Sequence, residues 1–223
     1  MGRTKYSPEM VNDIMAAFVT AAKEIIDEDG LDQASIRHIS ARAGYSSGTL
    51  YLYFEDMEEL IAMALVSYLS GYVHNLIGTT PGDELPAETY RRTWRLFCKH
   101  SFAHPKEYLK LFFGPKSSNM NAIAEKYYEL FPADLEYADG LILTMLERGN
   151  LIERNKAVLD PLAASLGFSE RETDIANDLT VAFFHGFLLR AADENPDDAQ
   201  IELLTSRFIE GAFFILRADE PAE

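Results

Sequence analysis

The chain has 223 residues, a formal net charge of −16 and 48% apolar residues. This length allows one large domain or a small and a medium one, and the charge argues against indiscriminate binding of nucleic acid. A single cysteine, Cys98, excludes an internal disulfide and suits a reducing cytosol. The polar start and the lack of a long apolar run exclude a signal segment and a membrane span. We therefore expect a cytoplasmic protein with no membrane partner.

The first helical pattern begins at Ser7, which can cap a helix, and continues with Pro8 at the first helical position. Apolar residues then recur at spacings of three and four as far as Gly30, where the helix is expected to end. Phe18 lies on this apolar face and is predicted to belong to the core. The pattern predicts a first helix that packs behind the two short ones that follow.

Two short helical patterns between residues 35 and 54 are joined at Gly44. Ser35 can cap the first, and glycine suits the left-handed position that ends a helix. Ser46 or Ser47 can cap the second. Two short helices joined by a turn that contains glycine form a helix-turn-helix. The same spacing also fits a plain corner of two helices with no role in nucleic-acid binding.

The second short helix has distinct inner and outer faces. Leu50 and Phe54 are four residues apart and are expected to face inward together. Small and hydroxylated side chains at its start would let the helix enter a major groove without a steric block. The residues expected at or near the outer surface are Ser47, Gly48, Thr49, Tyr51, Leu52 and Tyr53.

The stretch ISARAGYSSGTLYLYFEDMEEL closely resembles the recognition segment of the TetR family of bacterial transcriptional regulators. The preceding DGLDQASIRHIS matches the same family, and the resemblance covers roughly residues 8 to 70. It implies that this region contacts operator DNA. The positions that approach bases or the adjacent backbone are matched by Arg37, Ser47, Gly48, Thr49 and Tyr51, and those that bind phosphate through hydroxyl groups are matched by Ser35 and Tyr53. Leu52 lies where family members vary and could contact a thymine methyl. The candidate DNA-binding residues are Ser35, Arg37, Ser46, Ser47, Gly48, Thr49, Tyr51, Leu52 and Tyr53.

Two features of this region run against the family pattern. Residues 1–56 contain five basic and nine acidic residues, so their net charge is −4. Met57 occupies a position in the fourth helix where the family usually offers a lysine to phosphate. The acidic charge and Met57 leave an alternative function open, in which a TetR-like protein has lost sequence-specific DNA binding and acts through a protein partner.

The rest of the chain reads as helices separated by short breaks, so the predicted fold class is all-α. Asp56 and Glu59 form a start resembling a capping box for a helix to about Ile77, and the turn-rich residues 78–86 form a loop. Helices are also predicted over 88–104, from Pro105 to Phe113, over 123–131, over 132–149, from Ser169 to Asn195 and from about Asp198 onward. Between the fourth and fifth of these helices lies a short apolar segment, 157–166, interrupted by Pro161.

The expected organisation is a three-helix, helix-turn-helix DNA-binding domain over residues 8–56 on a helical ligand-binding and dimerisation domain over residues 57–218. In the family, the fourth helix, here 57–77, connects the two. The last two helices carry more apolar surface than one face needs, and the alternatives are burial inside one subunit or pairing with a second copy. The resemblance favours a homodimer, with an interface at Phe183, Phe184, Phe187, Phe208, Gly211, Ala212, Phe213 and Ile215.

Aromatic residues are concentrated in the central third of the chain, with two histidines among them. Pockets are mostly apolar with a few placed polar groups, although the same rings could simply fill a core. His100 and His104 could hold a metal at their spacing of four, but the segment lacks the glutamate of a zinc hydrolase motif, and no metal, cofactor or catalytic residue is predicted. The candidate pocket residues are Trp94, Phe97, His100, Phe102, His104, Tyr108, Phe112 and Tyr127.

These patterns together predict a homodimeric TetR-like repressor that is released from its operator by a small apolar or aromatic ligand. A ligand among the central helices would shift the fourth helix and change the separation of the two recognition helices. The less favoured alternative is a ligand-binding or enzymatic helical bundle, in which His100 or His104 would be required for turnover.

Overall fold

The computed structural model describes residues 7–77, 84–136, 143, 145 and 148–217. All regular structure in this part of the chain is helical, which confirms the predicted fold class. Short 3₁₀ turns occur at Leu31–Gln33, Ser117–Asn119 and Pro132–Leu135. The α-helices of the described part are α1 (Pro8–Asp29), α2 (Ile36–Ala43), α3 (Ser47–Leu50), α4 (Met57–Ile77), α5 (Pro86–Ala103), α6 (Pro105–Phe113), α7 (Met120–Leu130), α8 (Leu151–Ser165), α9 (Glu170–Glu194) and α10 (Asp198–Ile215).

Capping side chains fix most helix starts where local sequence signals predict them. The Oγ atom of Ser7 accepts a hydrogen bond from the backbone N–H of Met10, and Pro8 is the first residue of α1. Ser169 and Glu172 form the reciprocal capping box at the start of α9. These signals act within four residues, so they do not depend on the rest of the fold.

Three predicted boundaries need correction or lie outside the described residues. Helix α5 starts at Pro86 instead of Glu88, with the carboxylate of Glu88 accepting a hydrogen bond from the N–H of Leu85 at 3.3 Å. Proline at the first helical position loses no helical hydrogen bond, which explains the earlier start. The first part of the predicted loop, residues 78–83, lies outside the described residues. The predicted helix from Pro132 begins as a 3₁₀ turn, and its Ala138, Ile142 and Leu146 also lie outside them.

Helix α8 is continuous over fifteen residues, whereas the sequence predicted a short piece broken at Pro161. Asn150 caps the helix by accepting a hydrogen bond from the N–H of Glu153 at 2.9 Å. A proline in a helix interior costs about 3 kcal/mol. Pro161 is exposed, and the opposite face buries Leu151, Val158 and Leu162 against the neighbouring helices. Packing of this face offsets the missing hydrogen bond.

The N-terminal head, residues 7–56, packs around α1. Phe18 is fully buried and lies edge-on to Phe54, with ring centroids 6.0 Å apart. Ile39 of α2 and Leu50 of α3 are also fully buried, as predicted for the inward faces of the two short helices. The first helix therefore supports both elements of the helix-turn-helix.

Helix α4 links the head to the remaining helices, which we call the body. It packs against α1 on one side and against α5, α6 and α7 on the other. The body core is centred on Trp94 of α5, whose ring lies 4.7 Å from that of Phe208 and 5.2 Å from that of Phe184. Within the described residues, no helix is both long and apolar enough to cross a membrane.

Candidate nucleic-acid interface and effector cavity

The turn between α2 and α3 is defined by two serine caps and one glycine. The Oγ atom of Ser35 accepts a hydrogen bond from the N–H of His38 at 3.3 Å, and Gly44 adopts the left-handed conformation at φ 77°. Ser46, and not Ser47, caps α3: its Oγ accepts from the N–H of Thr49 at 3.2 Å and lies 2.9 Å from the Thr49 hydroxyl oxygen. The start of α3 is thus fixed by groups that the helix itself supplies.

The outer face of α3 and the turn after it is open to solvent. Tyr51 and Leu52 are 54% and 57% exposed, although both are large and partly or wholly apolar. Ser47 and Gly48 are exposed as well, whereas Leu50 and Phe54 point into the core. The segment therefore has the division into inner and outer faces that the sequence predicted.

Most basic side chains of the described head are already paired with acids. Arg42 lies 2.7 Å from Glu28 and 3.8 Å from Glu24, so its guanidinium is held toward α1. Lys23 pairs with Asp27 on α1. Arg37 is exposed and makes no ion pair to any residue that the structure describes. It is therefore the cation of the described head that is available to a phosphate.

The acids at the start of α4 face lysines from the body. Met57 is half-buried and packs on the core. We call Lys110, Lys116 and Lys126 the lysine bridge. Of the four acids that these lysines face, Glu55 and Asp56 belong to the head and share Lys116, whereas Glu58 and Glu59 lie in α4. The ion pairs are Lys116 with Glu55 (2.8 Å) and Asp56 (2.9 Å), Lys110 with Glu58 (2.5 Å), and Lys126 with Glu59 (2.7 Å).

A cavity lies between α4, α5 and α8, close to the body core. Its volume is only about 20 Å³, which is roughly the room for one water molecule. Sites for small molecules occupy roughly 300–1,000 Å³, so an effector must push the walls apart. The cavity is lined by Tyr72, Thr93, Trp94, Phe97, Met145, Leu151, Arg154, Asn155 and Val158.

A chain of buried hydrogen bonds holds one wall of this cavity. The indole Nε1–H of Trp94 donates to Oδ1 of Asn155 at 2.9 Å, and Nδ2 of Asn155 donates to Oδ1 of Asn177 at 2.8 Å. Nδ2 of Asn177 then donates to the carbonyl of Ile152 at 3.1 Å. Because buried polar groups cost free energy when they lack partners, this chain fixes the orientation of the Trp94 ring.

Arg154 is the charged side chain among the described residues that line the cavity. It is 3% exposed, and its Cζ atom lies 5.8 Å from the centroid of the Phe112 ring. Burial lowers its pKa, and a hydrogen bond with the hydroxyl of Tyr128 acts in the opposite direction. Burial also raises the pKa of Tyr72 and Tyr108, so these phenols stay neutral beside it.

Two of the eight residues predicted for the pocket, Trp94 and Phe97, line this cavity, and six do not. His104 is exposed and packs edge-on against Tyr68, while the hydroxyl of Tyr127 donates to Asp134. His100, Phe102, Tyr108 and Phe112 pack around the core of the body instead. No cluster of three metal-ligating side chains occurs among the described residues.

Sequence reasoning missed Tyr72, Arg154 and Asn155 as cavity residues. Tyr72 was assigned to the connecting helix, and Arg154 and Asn155 lie in a run of polar and charged residues to which no site was assigned. Both are less than 5% exposed. The available signal was the spacing of Leu151, Arg154 and Val158, which places Arg154 on the apolar face of a helix.

The residues predicted for a dimer interface divide into two groups. Phe184, Phe208, Ala212 and Phe213 are buried within the chain and have no surface to offer a partner. Their rings fill the core around Trp94 and Tyr90, which corrects their assignment to an interface. Phe183, Phe187, Gly211 and Ile215 are partly buried; the ring of Phe183 lies against Gly211 and leaves no room there for a Cβ.

A different set of apolar residues on the last two helices faces outward. On α9, positions 175, 179, 182, 186 and 189 follow one face at spacings of four and three, and Ile175, Leu179 and Leu189 are about half exposed. On α10, Leu203 is 53% and Phe214 85% exposed. We call these residues the outer stripe. An apolar surface of this kind is unusual for a face that stays in water.

Comparisons with known proteins agree with the geometry of the head. The family model for bacterial regulatory proteins of the tetR family matches residues 18–64. The uncharacterized HTH-type transcriptional regulator YvdT of Bacillus subtilis is 36% identical over 77 residues, which are 34% of this chain and 40% of YvdT. The alignment therefore spans less than half of that relative. The fatty acid metabolism regulator protein of the same organism is 24% identical over 60% of this chain and 69% of its own.

Solved structures resemble the whole chain in fold. Thermus thermophilus FadR, a TetR family transcriptional repressor crystallised with lauroyl-CoA, gives a TM-score of 0.60 at 16% identity over 94% of this chain and 96% of its own. RolR, crystallised with resorcinol, gives a TM-score of 0.57 at 17% identity, over 97% of this chain and 99% of RolR.

An all-helical body behind an exposed, doubly capped helix-turn-helix defines the class of helix-turn-helix regulatory proteins. Residues 18–64, which contain the helix-turn-helix, are thus similar to the TetR family of bacterial regulatory proteins.

Proposed function

We propose that this protein is a homodimeric transcriptional repressor that binds operator DNA through α3 and leaves it when a small molecule enters the cavity beside α4. The observation that carries the proposal is the uncovered outer face of α3, where Tyr51 and Leu52 are more than half exposed. A core has no use for these side chains in that position, whereas a major groove offers them base edges and thymine methyls.

The direct contacts in this proposal come from short side chains and from Arg37. Ser47, Gly48 and Thr49 open α3 without bulk, so its first turn can approach the bases closely. Because Arg42 and Lys23 are engaged with acids, Arg37 is the cation of the described head that remains for phosphate. We therefore expect a shallow dependence of operator affinity on salt.

The outer stripe supports a second copy of the chain as the partner. A helix-turn-helix protein usually reads paired half-sites as a symmetric dimer. Ile175, Leu179 and Leu189 on α9 and Leu203 and Phe214 on α10 are exposed, and the two helices pack against each other. Two copies could therefore form a four-helix contact around a twofold axis. The interface proposed from the structure thus replaces the buried phenylalanines with the exposed aliphatic residues of the same two helices.

The switch is proposed to act through α4. Tyr72 of α4 lines the cavity, and the other end of the same helix begins directly after the helix-turn-helix. The cavity is too small for an effector as it stands, so binding requires movement of its walls, α4 among them. A ligand that binds better to the widened form would shift the population toward it and change the separation of the two α3 helices. FadR and RolR bind lauroyl-CoA and resorcinol, respectively, which makes a small-molecule effector reasonable here.

The alternative, a head that binds a protein partner instead of DNA, is motivated by the acidic composition of the head. The lysine bridge weakens this reason in part, because its three lysines pair with four acids around the start of α4, and two of these acids, Glu55 and Asp56, belong to the head. These pairs also lie at the junction with the body and leave the outer face of α3 uncharged.

The test measures the affinity of the purified protein for the DNA upstream of its own gene against unrelated DNA of equal length, at two salt concentrations. A preference of roughly a thousandfold or more, the lower end for specific binders, supports the proposal. Tyr51→Ala should then abolish the preference and leave the fold intact. No preference at either salt concentration favours the protein-partner alternative.

A further inference from the structure

The wall of the cavity combines aromatic surface with one buried positive charge. Trp94, Phe97 and Val158 supply apolar surface, and Arg154 supplies a guanidinium that is 3% exposed. Arg154 lies on the same face of α8 as the apolar Leu151 and Val158, so it reaches the cavity wall with them. At this wall it also contacts the Tyr128 hydroxyl and the Phe112 ring.

The polar groups of the cavity wall are the hydroxyls of Tyr72 and Thr93, the amide of Asn155 and the guanidinium of Arg154. A guanidinium donates and cannot accept. The hydroxyl of Tyr72 donates to the sulfur of Met145 at 3.8 Å, which is a weak bond that a better acceptor can replace. The amide of Asn155 is oriented by its bonds to Trp94 and Asn177. A ligand that matches this wall therefore presents an acceptor, and an anionic acceptor gains most from Arg154.

We propose that the effector is a small carboxylate with an apolar body, whose carboxylate binds Arg154 and whose body lies against Trp94 and Phe97. Binding of this ligand rests on the cavity alone. Its consequence for DNA rests on the proposed function above. Guanidinium and carboxylate match in geometry and can form two parallel hydrogen bonds, which gives the pair its selectivity over alcohols and amides.

Trp94 makes the proposal directly measurable, because it is the single tryptophan of the chain and lines the cavity. Its fluorescence is titrated with two matched pairs of probes: octanoate against 1-octanol, and phenylacetate against 2-phenylethanol. At least one carboxylate should perturb the emission at concentrations at least tenfold lower than its alcohol. Equal affinities within both pairs, or no response to either carboxylate up to about 10 mM, a free energy of under 3 kcal/mol, overturn the proposal.

Arg154→Met keeps the length of the side chain and removes its charge. It should weaken carboxylate binding at least tenfold and leave alcohol binding unchanged or stronger, while Arg154→Lys should retain part of the preference. Arg171→Met removes an exposed arginine at the start of α9. It serves as the control and should change neither carboxylate binding nor alcohol binding. Unchanged carboxylate affinity in Arg154→Met overturns the proposal. If that variant does not fold, the comparison within the probe pairs on the natural protein and on Arg154→Lys decides.

Ligand binding and its effect on DNA binding are tested separately. Carboxylates that bind at Trp94 but leave operator affinity unchanged confirm the ligand class and contradict the switch. Absence of any specific DNA binding contradicts the proposed function and leaves the fluorescence result as a property of the cavity.

Discussion

The Nζ atom of Lys126 on α7 lies 2.7 Å from Oε1 of Glu59 on α4. The other carboxylate oxygen of Glu59 accepts the backbone N–H of Glu55 at 2.6 Å, and the side chain of Glu59 is only 7% exposed. One acid therefore both caps the helix that follows the recognition segment and binds that helix to the body.

Lys126→Met should lower the free energy of unfolding by about 1 kcal/mol, because it leaves a largely buried carboxylate without its cation. Chemical denaturation measures the change. Lys99→Met, which removes an exposed ion pair to Glu202, is the matched control and should cost less than about 0.5 kcal/mol. Equal losses of unfolding free energy in the two variants would show that the largely buried pair stabilises the protein no more than the exposed one.

Gly48→Ala should separate DNA binding from stability. A Cβ at this position would meet only the Oγ of Ser46 at 3.7 Å, an ordinary contact, and alanine favours a helix over glycine by roughly 0.5–1 kcal/mol. The variant should thus be as stable as the natural protein or more so. Its methyl group would project from the outer face of α3 and reduce operator affinity at least tenfold, about 1.4 kcal/mol.

Thermal unfolding and operator titration on the same preparation check this prediction. Ala41→Gly, at an exposed position of α2, is the control for helix propensity and should act on stability in the opposite direction. Full operator affinity in Gly48→Ala would mean that α3 does not approach the bases as closely as proposed.

Leu179→Arg should convert the proposed dimer into a monomer. The residue is 53% exposed in the middle of the outer stripe, and symmetric pairing would bring two added charges into an apolar contact. Light scattering coupled to size-exclusion chromatography gives the mass of the particle. Operator affinity should also fall when the dimer is lost, since half-sites are read in pairs. Ile152→Arg, at a similarly exposed position of α8, should remain dimeric. A dimer that survives Leu179→Arg places the interface elsewhere.

Tyr68→Phe should loosen the attachment of α4 to the head. The hydroxyl of Tyr68 donates to Oδ1 of Asp27 at 2.7 Å. Burial acts to raise the pKa of Asp27, but hydrogen bonds from Lys23 and Tyr68 outweigh it and lower the pKa below its ordinary value. Because Asp27 is partly exposed, loss of this bond should cost about 0.5–1 kcal/mol at pH 7.

The sign of the pH dependence follows from the lowered pKa. The stabilisation from Asp27 is complete above the unfolded pKa of about 3.9 and is lost as the pH falls through the lower folded pKa. The stability difference between the natural protein and Tyr68→Phe should therefore narrow as the pH is reduced from 7 toward 3. Urea unfolding across this range tests it. Tyr53→Phe is the control, since its hydroxyl has no hydrogen-bond partner in the described part of the chain. A difference that is constant with pH would contradict the role of Asp27.

The sequence alone determined the helix boundaries and the inward faces of the helix-turn-helix, because the signals for them act over a few residues. Ser35 and Ser46 satisfy N–H groups three residues ahead, Gly44 supplies the left-handed turn, and the spacing of Leu50 and Phe54 decides which face turns inward. The capping boxes at the later helices follow the same logic. Such interactions are complete before any distant segment packs against them.

Tertiary structure alone decided what the body exposes and encloses. Tyr72, Trp94 and Arg154 meet at one cavity from α4, α5 and α8, and their positions along the chain do not indicate that they are neighbours. The same holds for the last two helices, where the number of phenylalanines suggested an interface. Trp94 and Tyr90 of α5 cover most of those rings, and the aliphatic outer stripe is left uncovered. Which apolar face is buried depends on the helix that packs against it, and only the assembled fold supplies that helix.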